Sequence, residues 1–264
     1  MSHKKNFFRK RGGINIEITM SYFGELTPGI ANGLRGIYVS DDGSKLMVDN
    51  FASSPAIYRF DMSAAFDITT ASFVSTGVLS IAPFGLTFKS DGTKVYVNTI
   101  AAVDRVYEYP LSTAWDLSTI GSSSYYIVQD NNYPGCMIFS PDGTKFFRVV
   151  YSYIEEYSLS TAWDITSATL VANYANFGAN YIRFLDSGNY IIYGGTSTSI
   201  KIRALSTPYD ISTRSAVLSE SDINLTSGDG TYGCFSTDGE HLYVSRDPNG
   251  TKKVEQYDLT ITFS

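Results

Sequence analysis

An all-β, five-bladed β-propeller, with four antiparallel strands per blade and a ring closed by the N-terminal strand pairing with the last blade, is the fold this sequence predicts. Three observations lead to it. An Asp-Gly turn recurs at Asp42-Gly43, Asp91-Gly92, Asp142-Gly143 and Asp238-Gly239, with Ser187-Gly188 in the fourth copy, at spacings of 49, 51, 45 and 51 residues. A second turn, LSTAWDI from Leu159, returns as MSAAFDI from Met62, LSTAWDL from Leu111 and LSTPYDI from Leu205. The composition, 20 Tyr and 16 Phe with only 17% charged residues, favours strands over helices. Radially repeated units of this length fit a propeller because a four-stranded sheet can hide both faces only between like neighbours.

Each unit is justified strand by strand. A first strand with inward pairs Ile37/Val39, Leu86/Phe88, Met137/Phe139, Ile182/Phe184 and Gly233/Phe235 precedes each Asp-Gly turn, where glycine supplies the positive φ. A second follows at Leu46/Val48, Val95/Val97, Phe146/Arg148, Ile191/Tyr193 and Leu242/Val244. The third spans Ile57 to Phe60, Val106 to Tyr109, Ile154 to Tyr157, Ile200 to Arg203 and Val254 to Tyr257, and the second turn comes after it. In that turn the Asp accepts backbone N–H groups and the aromatic (Phe66, Trp115, Trp163, Tyr209) covers the apolar side. Fourth strands are expected at Ser72 to Ser75, Tyr125 to Gln129, Leu170 to Tyr174 and Ala216 to Ser219.

The fifth copy ends without a second turn or fourth strand. Residues 19–28, TMSYFGELTP, align with Ala71 to Ser80 and are expected to supply that strand, removing an open edge. The domain reading is a basic, flexible or docking arm over residues 1–13 and a propeller over 14–264. Its blade cores fall near 34–76, 84–129, 135–174, 181–219 and 232–259, plus the closing strand 19–28.

Charge is unevenly spread. Lys4, Lys5, Arg9, Lys10 and Arg11 lie in the arm with no acid, leaving 15 basic against 26 acidic side chains, a formal −11, in the body. Such a body argues against nucleic-acid binding by the propeller, since phosphate contacts need clustered cations. No apolar run reaches membrane-spanning length, and the N-terminus lacks the apolar segment of a Sec signal, so the mature chain is expected to start at or near Met1. Cys136 and Cys234 read as buried free thiols.

The run Phe-Ser-Pro-Asp-Gly-Thr-Lys (Phe139 to Lys145), with Val-Tyr-Val (Val95 to Val97) and Tyr-x-Leu-Ser-Thr-Ala-Trp-Asp-Ile (Tyr157 to Ile165), resembles YVTN/lactonase-like propeller repeats, distant relatives of WD-repeat propellers, over about residues 20–264. The Leu-Ser-Thr-Ala-Trp-Asp-Ile version is similar to repeats of tail and other structural proteins of marine bacteriophages. That resemblance implies a virion component. Metal-dependent lactonase-like propellers use acidic and amide residues converging on the channel, and those positions are not matched here.

Little in the sequence points to catalysis. The only histidines are His3 and His241, and His241, in place of the hairpin Lys94 and Lys145, reads as a solvent-facing turn residue, so His-based triads and zinc sites fail. Asp42, Asp91, Asp142 and Asp238 sit on separate blades and cannot converge on one ion, and Glu155 and Glu156 point to opposite faces of a strand. No catalytic residue, metal or cofactor is assigned.

Departures from the repeat are more telling. Arg148 stands where Val48, Val97 and Val244 stand, and Arg183 where Tyr38, Thr87, Ile138 and Cys234 stand; blade four adds Lys201 and Arg203. These read either as inter-blade or channel salt bridges or as a basic patch for an acidic neighbour or anionic sugar. The face opposite the two repeated turns carries links of varied length and is the candidate binding face. There Tyr133, Phe177 and Tyr232 with Asn131, Asn132, Asn180 and Asp229 could stack on and hydrogen-bond a sugar. In the arm, Phe7 and Phe8 with Arg9, Lys10 and Arg11 form a candidate docking segment for another virion protein or a second copy; Arg183, Lys201 and Arg203 join them as candidate partner contacts.

The functional expectation is a non-enzymatic structural and binding protein of a bacteriophage particle, in tail host attachment or capsid decoration. It would recognise surface glycans or a neighbouring virion protein, and be assembled in the host cytoplasm without membrane insertion. A secreted or surface lactonase-like enzyme and a free carbohydrate-binding lectin are the alternatives.

Overall fold

A computed structural model describes residues 16–30, 33–51, 54–100, 105–128, 134–150, 153–175, 177–195, 199–222, 232–246 and 251–263. The chain begins with β1 (Ile16–Leu26). Blade one follows as β2 (Leu34–Val39), β3 (Lys45–Asn50), β4 (Ala56–Met62) and β5 (Ala71–Val78). Blade two is β6 (Pro83–Phe88), β7 (Lys94–Thr99), β8 (Arg105–Pro110) and β9 (Ser124–Ile127). Blade three is β10 (Pro134–Phe139), β11 (Lys145–Val150), β12 (Tyr153–Leu159) and β13 (Ala168–Ala175). Blade four is β14 (Tyr181–Leu185), β15 (Tyr190–Gly194), β16 (Ser199–Ala204) and β17 (Ser219–Asp222). In blade five β18 (Gly233–Phe235), β19 (His241–Arg246) and β20 (Lys253–Phe263) are joined by β1, giving the order β1-β20-β19-β18 and five four-stranded sheets.

The predicted closure is present, with β1 antiparallel to β20 from Ile16↔Phe263 to Leu26↔Val254 and a bulge at Tyr22/Gly24. It starts and ends earlier than the expected 19–28. The fourth strand of blade four, expected at Ala216 to Ser219, is instead Ser219–Asp222. There Leu205 bridges Arg214, and Ser215 takes both Ala204 backbone groups, so regular pairing resumes only further on.

Alternation along the inner strands decides which neighbour each side chain meets. On β3, Leu46 and Val48 face blade five beside Tyr243 and Val254, while Met47 faces blade two beside Leu86 and Val95. Both faces are covered, so the middle strands read as continuous apolar runs. The core is accordingly five inter-blade layers. Each fully buried aliphatic or aromatic side chain in them contributes about 1.5–3 kcal/mol.

The two repeated turns lock together within each blade. The glycines take φ of +67° (Gly43), +75° (Gly92), +70° (Gly143) and +90° (Gly188), and the second-turn aromatics sit against them, themselves at φ of 60° (Phe66), 65° (Trp115), 63° (Trp163) and 56° (Tyr209). A Cβ on Gly143 would lie 2.2 Å from the Trp163 ring, and Trp163 N–H donates to Gly143 O at 3.0 Å. As the sequence implied, each second-turn Asp accepts a backbone N–H two residues on: Asp67 from Thr69, Asp116 from Ser118, Asp164 from Thr166 and Asp210 from Ser212.

The same turns then tie each blade to the one before it. Arg59 donates to Trp115 O (3.1 Å), Lys94 and Tyr96 to Trp163 O (2.8 and 2.7 Å), Lys145 to Tyr209 O (3.2 Å), and Tyr243 and Gln256 to Phe66 O (3.1 and 2.7 Å). Glu108 and Gln256 additionally accept from Ile165 N and Ile68 N. By strand register Arg59, Glu108, Glu156 and Gln256 are equivalent, and the blade-four member of the set is Ile202. That member faces blade five, which has no second turn, so the polar side chain is missing where its partner is missing.

Candidate functional site

The five inner strands bring their backbone edges together around the axis, closely enough that glycine is required. A Cβ on Gly36 would fall 2.8 Å from Gly85 Cα, one on Gly85 2.6 Å from Gly135 O, and one on Gly135 2.4 Å from Asn180 O. Register shifts at Leu34/Ile37, Pro83/Leu86 and Pro134/Met137 put a bulge at the start of the inner strand in blades one to three. A bulge frees backbone groups from the ladder and re-aims side chains. The freed groups are met within the blade and across the seams: Asp49 accepts Gly36 N–H of its own blade at 2.8 Å and Gly85 N–H of blade two at 3.2 Å, and Cys136 N–H donates to Asn180 O of blade four at 2.9 Å. At the Asp49 position of blade two, Asn98 donates to Gly135 O at 3.2 Å. Asp49 is fully buried, and burial pushes its carboxyl up to about 6 even though backbone N–H groups hold its charge.

The bulge in blade one turns Arg35 into the mouth of the axial cavity, at the end where the varied links emerge. A cavity of about 10 Å³ lies among Arg35, Gly36, Gly85, Gly135, Asn180 and Tyr232, so all five blades contribute. Arg35 donates to the Tyr232 hydroxyl at 2.6 Å, across the closing seam. Its guanidinium carbon sits 4.7 Å from the Phe84 ring centroid, 5.0 Å from Tyr232 and 5.5 Å from Phe51. Phe51 packs edge-on to Phe84 at 5.6 Å, and Phe84 to Tyr232 at 5.4 Å. The Arg35 Nε is buried without a hydrogen-bond partner, and no ion pair holds Arg35 among the described residues. Cys136 also lines the cavity, its thiol pushed up to about 12 by burial.

Of the sugar-binding set, Tyr232 and Asn180 come together at this mouth. Phe177 does not: it is 4% exposed, beneath Arg203 and Arg214 and edge-on to Tyr193, because blade four uses it to cover its own sheet. Tyr133, Asn131, Asn132 and Asp229 lie outside the described residues, as do Phe7, Phe8, Arg9, Lys10 and Arg11. Arg183 reaches Asp41 of blade one at 3.9 Å, near the turn end of the axis, and both Cys136 and Cys234, which are free thiols, sense its charge. Lys201 pairs with Glu220 at 3.2 Å, and Arg203 bonds Tyr193 Oη and Ser215 O, both at 2.9 Å. These three cations are therefore dispersed, each with a partner of its own.

Arg148, expected either in an inter-blade or channel salt bridge or in a basic patch, makes its salt bridge within blade three and reaches blade two through a hydrogen bond. Wholly buried, it pairs with Glu155 at 2.9 Å and donates to Asn98 of blade two at 3.2 Å. Glu156, on the other face, takes Lys145 at 2.8 Å and the Tyr174 hydroxyl at 2.9 Å. His241 is not the solvent-facing residue expected. It stacks on Phe66 at 5.3 Å and bonds Asp258 at 2.8 Å, because the blade-five hairpin leans on the second turn of blade one. Asp238, Glu240 and His241 lie near one another, but the Asp238 carboxylate already serves Ser236 and the Glu240 N–H in its own turn.

Arg35 and Asp49 were legible by the rule that singled out Arg148, applied one strand earlier. Arg35 stands where the sister blades have Phe84, Gly135 and Asn180, and Asp49 where they have Asn98, Val149 and Ser245.

The class these features define is a closed five-bladed propeller with a cation at its axial mouth. No family model matches the chain, and no curated protein matches it. Among solved structures it is similar to a candidate 6-phosphogluconolactonase from Bacteroides uniformis, at 15% identity and a TM-score of 0.51, over 86% of this chain and 69% of that one. Kuenenia stuttgartiensis hydrazine synthase is 16% identical over 88% of this chain and 63% of that one, with a TM-score of 0.49. A functionally unknown protein from Desulfotomaculum acetoxidans is 14% identical over 89% and 70%, with a TM-score of 0.48. At such identities the likeness establishes the propeller fold alone.

Proposed function

We propose that this chain is a non-enzymatic structural and binding module of a bacteriophage particle, which presents the axial-mouth face to a surface glycan or a neighbouring virion protein. The observation that carries the reading is the division of labour between the two ends of the propeller. The repeated turns are consumed in bonds from blade to blade, whereas the other end holds Arg35, bonded to the Tyr232 hydroxyl, surrounded by the Phe51, Phe84 and Tyr232 rings and in no ion pair among the described residues. Groups of this kind recognise a ligand; acid–base chemistry is poorly served, since the Asp49 oxygens already accept Gly36 and Gly85 and the Cys136 thiol stays protonated near neutral pH. The virion assignment rests on the resemblance of the Leu-Ser-Thr-Ala-Trp-Asp-Ile repeats to phage tail and structural proteins. Residues 1–13, with Phe7 and Phe8 among five cations, are the proposed anchor to the particle.

Quantitative mass spectrometry of gradient-purified particles from the source culture tests it. A fixed ratio of this chain to capsid protein is the expected result. Recovery only from cell envelopes or medium overturns the virion reading. Lactone hydrolysis by the purified chain that is lost in Asp49→Asn would replace it with the lactonase-like alternative.

A further inference from the structure

We propose that the axial mouth is a seat for the carboxylate of an acidic sugar, with Arg35 taking the carboxylate and Phe51 taking the apolar face of the ring. The inference rests on the reading of this face as the binding face and names the ligand class it would take. Among the described residues Arg35 is the only charged side chain lining the cavity. A guanidinium drawn this far out of water is costly unless paired and hydrogen-bonded, yet its Nε has no partner, and the buried Asp49, whose carboxyl feels the Arg35 charge, spends its oxygens on the backbone N–H groups of Gly36, Gly85 and Arg35. The side chain is nevertheless held still: Tyr232 takes one Nη, and Phe51, Phe84 and Tyr232 surround the guanidinium carbon within 5.5 Å. Because the Nε is buried from solvent, the donors open to a ligand are those of the terminal nitrogens, and a charged guanidinium held in this way is complementary to a carboxylate.

The aromatic surroundings make the ligand more than a bare anion. Phe84 is buried at 3% exposure and acts as the floor, whereas Phe51 is 40% exposed beside it, a flat apolar surface a few ångströms from the charge. Its position is fixed, since Phe51 N–H donates to Gly33 O at 2.9 Å. A pyranose ring carrying a carboxylate presents an apolar C–H face and an anionic edge at this spacing. The Asn180 backbone, pinned between Gly194 O and Cys136 N–H, closes the opposite wall. The enclosed cavity, about 10 Å³, has room for about one water molecule, so the carboxylate and the sugar ring would both sit at the rim.

Calorimetric titration of the full chain with sodium glucuronate, methyl glucoside and inorganic phosphate tests this. Glucuronate is expected to bind at least tenfold tighter than methyl glucoside. Arg35→Gln should lose at least tenfold in glucuronate affinity, Arg35→Lys less, and Phe51→Ala several-fold, while Arg203→Gln changes nothing. Phe51 is partly exposed, so Phe51→Ala remains informative if Arg35→Gln fails to fold. Equal affinity for glucuronate and methyl glucoside overturns the proposal, as does phosphate binding as tight as glucuronate binding with Phe51→Ala without effect. A chain found in fixed ratio in particles but blind to glucuronate would leave the virion reading standing and remove this one.

Discussion

Gln256 donates its side-chain amide to the carbonyl of Phe66 at 2.7 Å, joining the last blade to the first, and its own carbonyl accepts Ile68 N–H at 2.9 Å. One amide thus satisfies both polarities of a second turn that belongs to another blade. Gln256→Ala leaves a buried donor and acceptor unmet and should cost about 1–3 kcal/mol in urea unfolding. Ile202→Gln, at the equivalent position facing the blade without a second turn, should be destabilising as well, since the new amide has nothing to meet. A stabilised Ile202→Gln protein would refute the pairing rule.

Gly143 and Trp163 make the corresponding point within a blade. Gly143→Ala combines a left-handed backbone with a Cβ 2.2 Å from the indole, and should lose more than about 2 kcal/mol. Gly178→Ala, also at positive φ but with nothing within 4 Å of its Cβ, should lose only the backbone share, about 1 kcal/mol. Thermal melts of the two variants give the comparison.

Arg148→Met should cost about 3–5 kcal/mol, because Glu155 is then left charged and buried. The sister pairs at this register are Val48 with Tyr58 and Val97 with Tyr107. The double variant Arg148→Val/Glu155→Tyr copies them and should recover most of the loss. If it is no more stable than Arg148→Met, charge burial is not what the single variant costs.

The pH dependence follows from Asp49. Its folded pKa, about 6, lies above the unfolded value of roughly 3.9. The native state therefore holds the proton more tightly, and stability from this group is absent at pH 7, grows as pH falls through 6 and is complete near pH 4. At about 1.4 kcal/mol per pKa unit the gain is on the order of 3 kcal/mol. Asp42 and Asp91 work in the opposite sense: held near 2, by the Ser40 and Ser44 bonds for Asp42 and by Lys89 and Thr93 for Asp91, they stabilise the fold above pH 4 and release that contribution as pH falls through 2. Denaturant midpoints measured across pH 2 to 7 should pass through a maximum near pH 4 to 5. Asp49→Asn should flatten the limb between pH 4 and 7; an unchanged limb would assign it to other groups.

Deleting residues 14–28 removes β1 and exposes the β20 edge over its whole length. The truncated chain should melt lower and associate at raised concentration. A melt matching that of the full chain would mean that closure adds nothing to stability.

Fold class, blade number and the closing strand could be read from the chain because each follows from a local signal repeated in copies. An Asp-Gly turn needs glycine whatever surrounds it, and strands announce their faces by alternation. Comparison among copies also exposed Arg148, which pairs with Glu155 in its own blade and bonds Asn98 of blade two. The sequence misjudged places where one blade departs from the pattern to suit a neighbour: Phe177 as an exposed platform, His241 as a solvent residue, and the start of β17. Tertiary structure alone decided the site. Arg35 and Phe51 of blade one, Asn180 of blade four and Tyr232 of blade five meet because three bulges and three glycines let the inner strands converge on the axis. Periodicity records which way a side chain faces along its own strand, whereas convergence on the axis depends on how five separate sheets tilt and close.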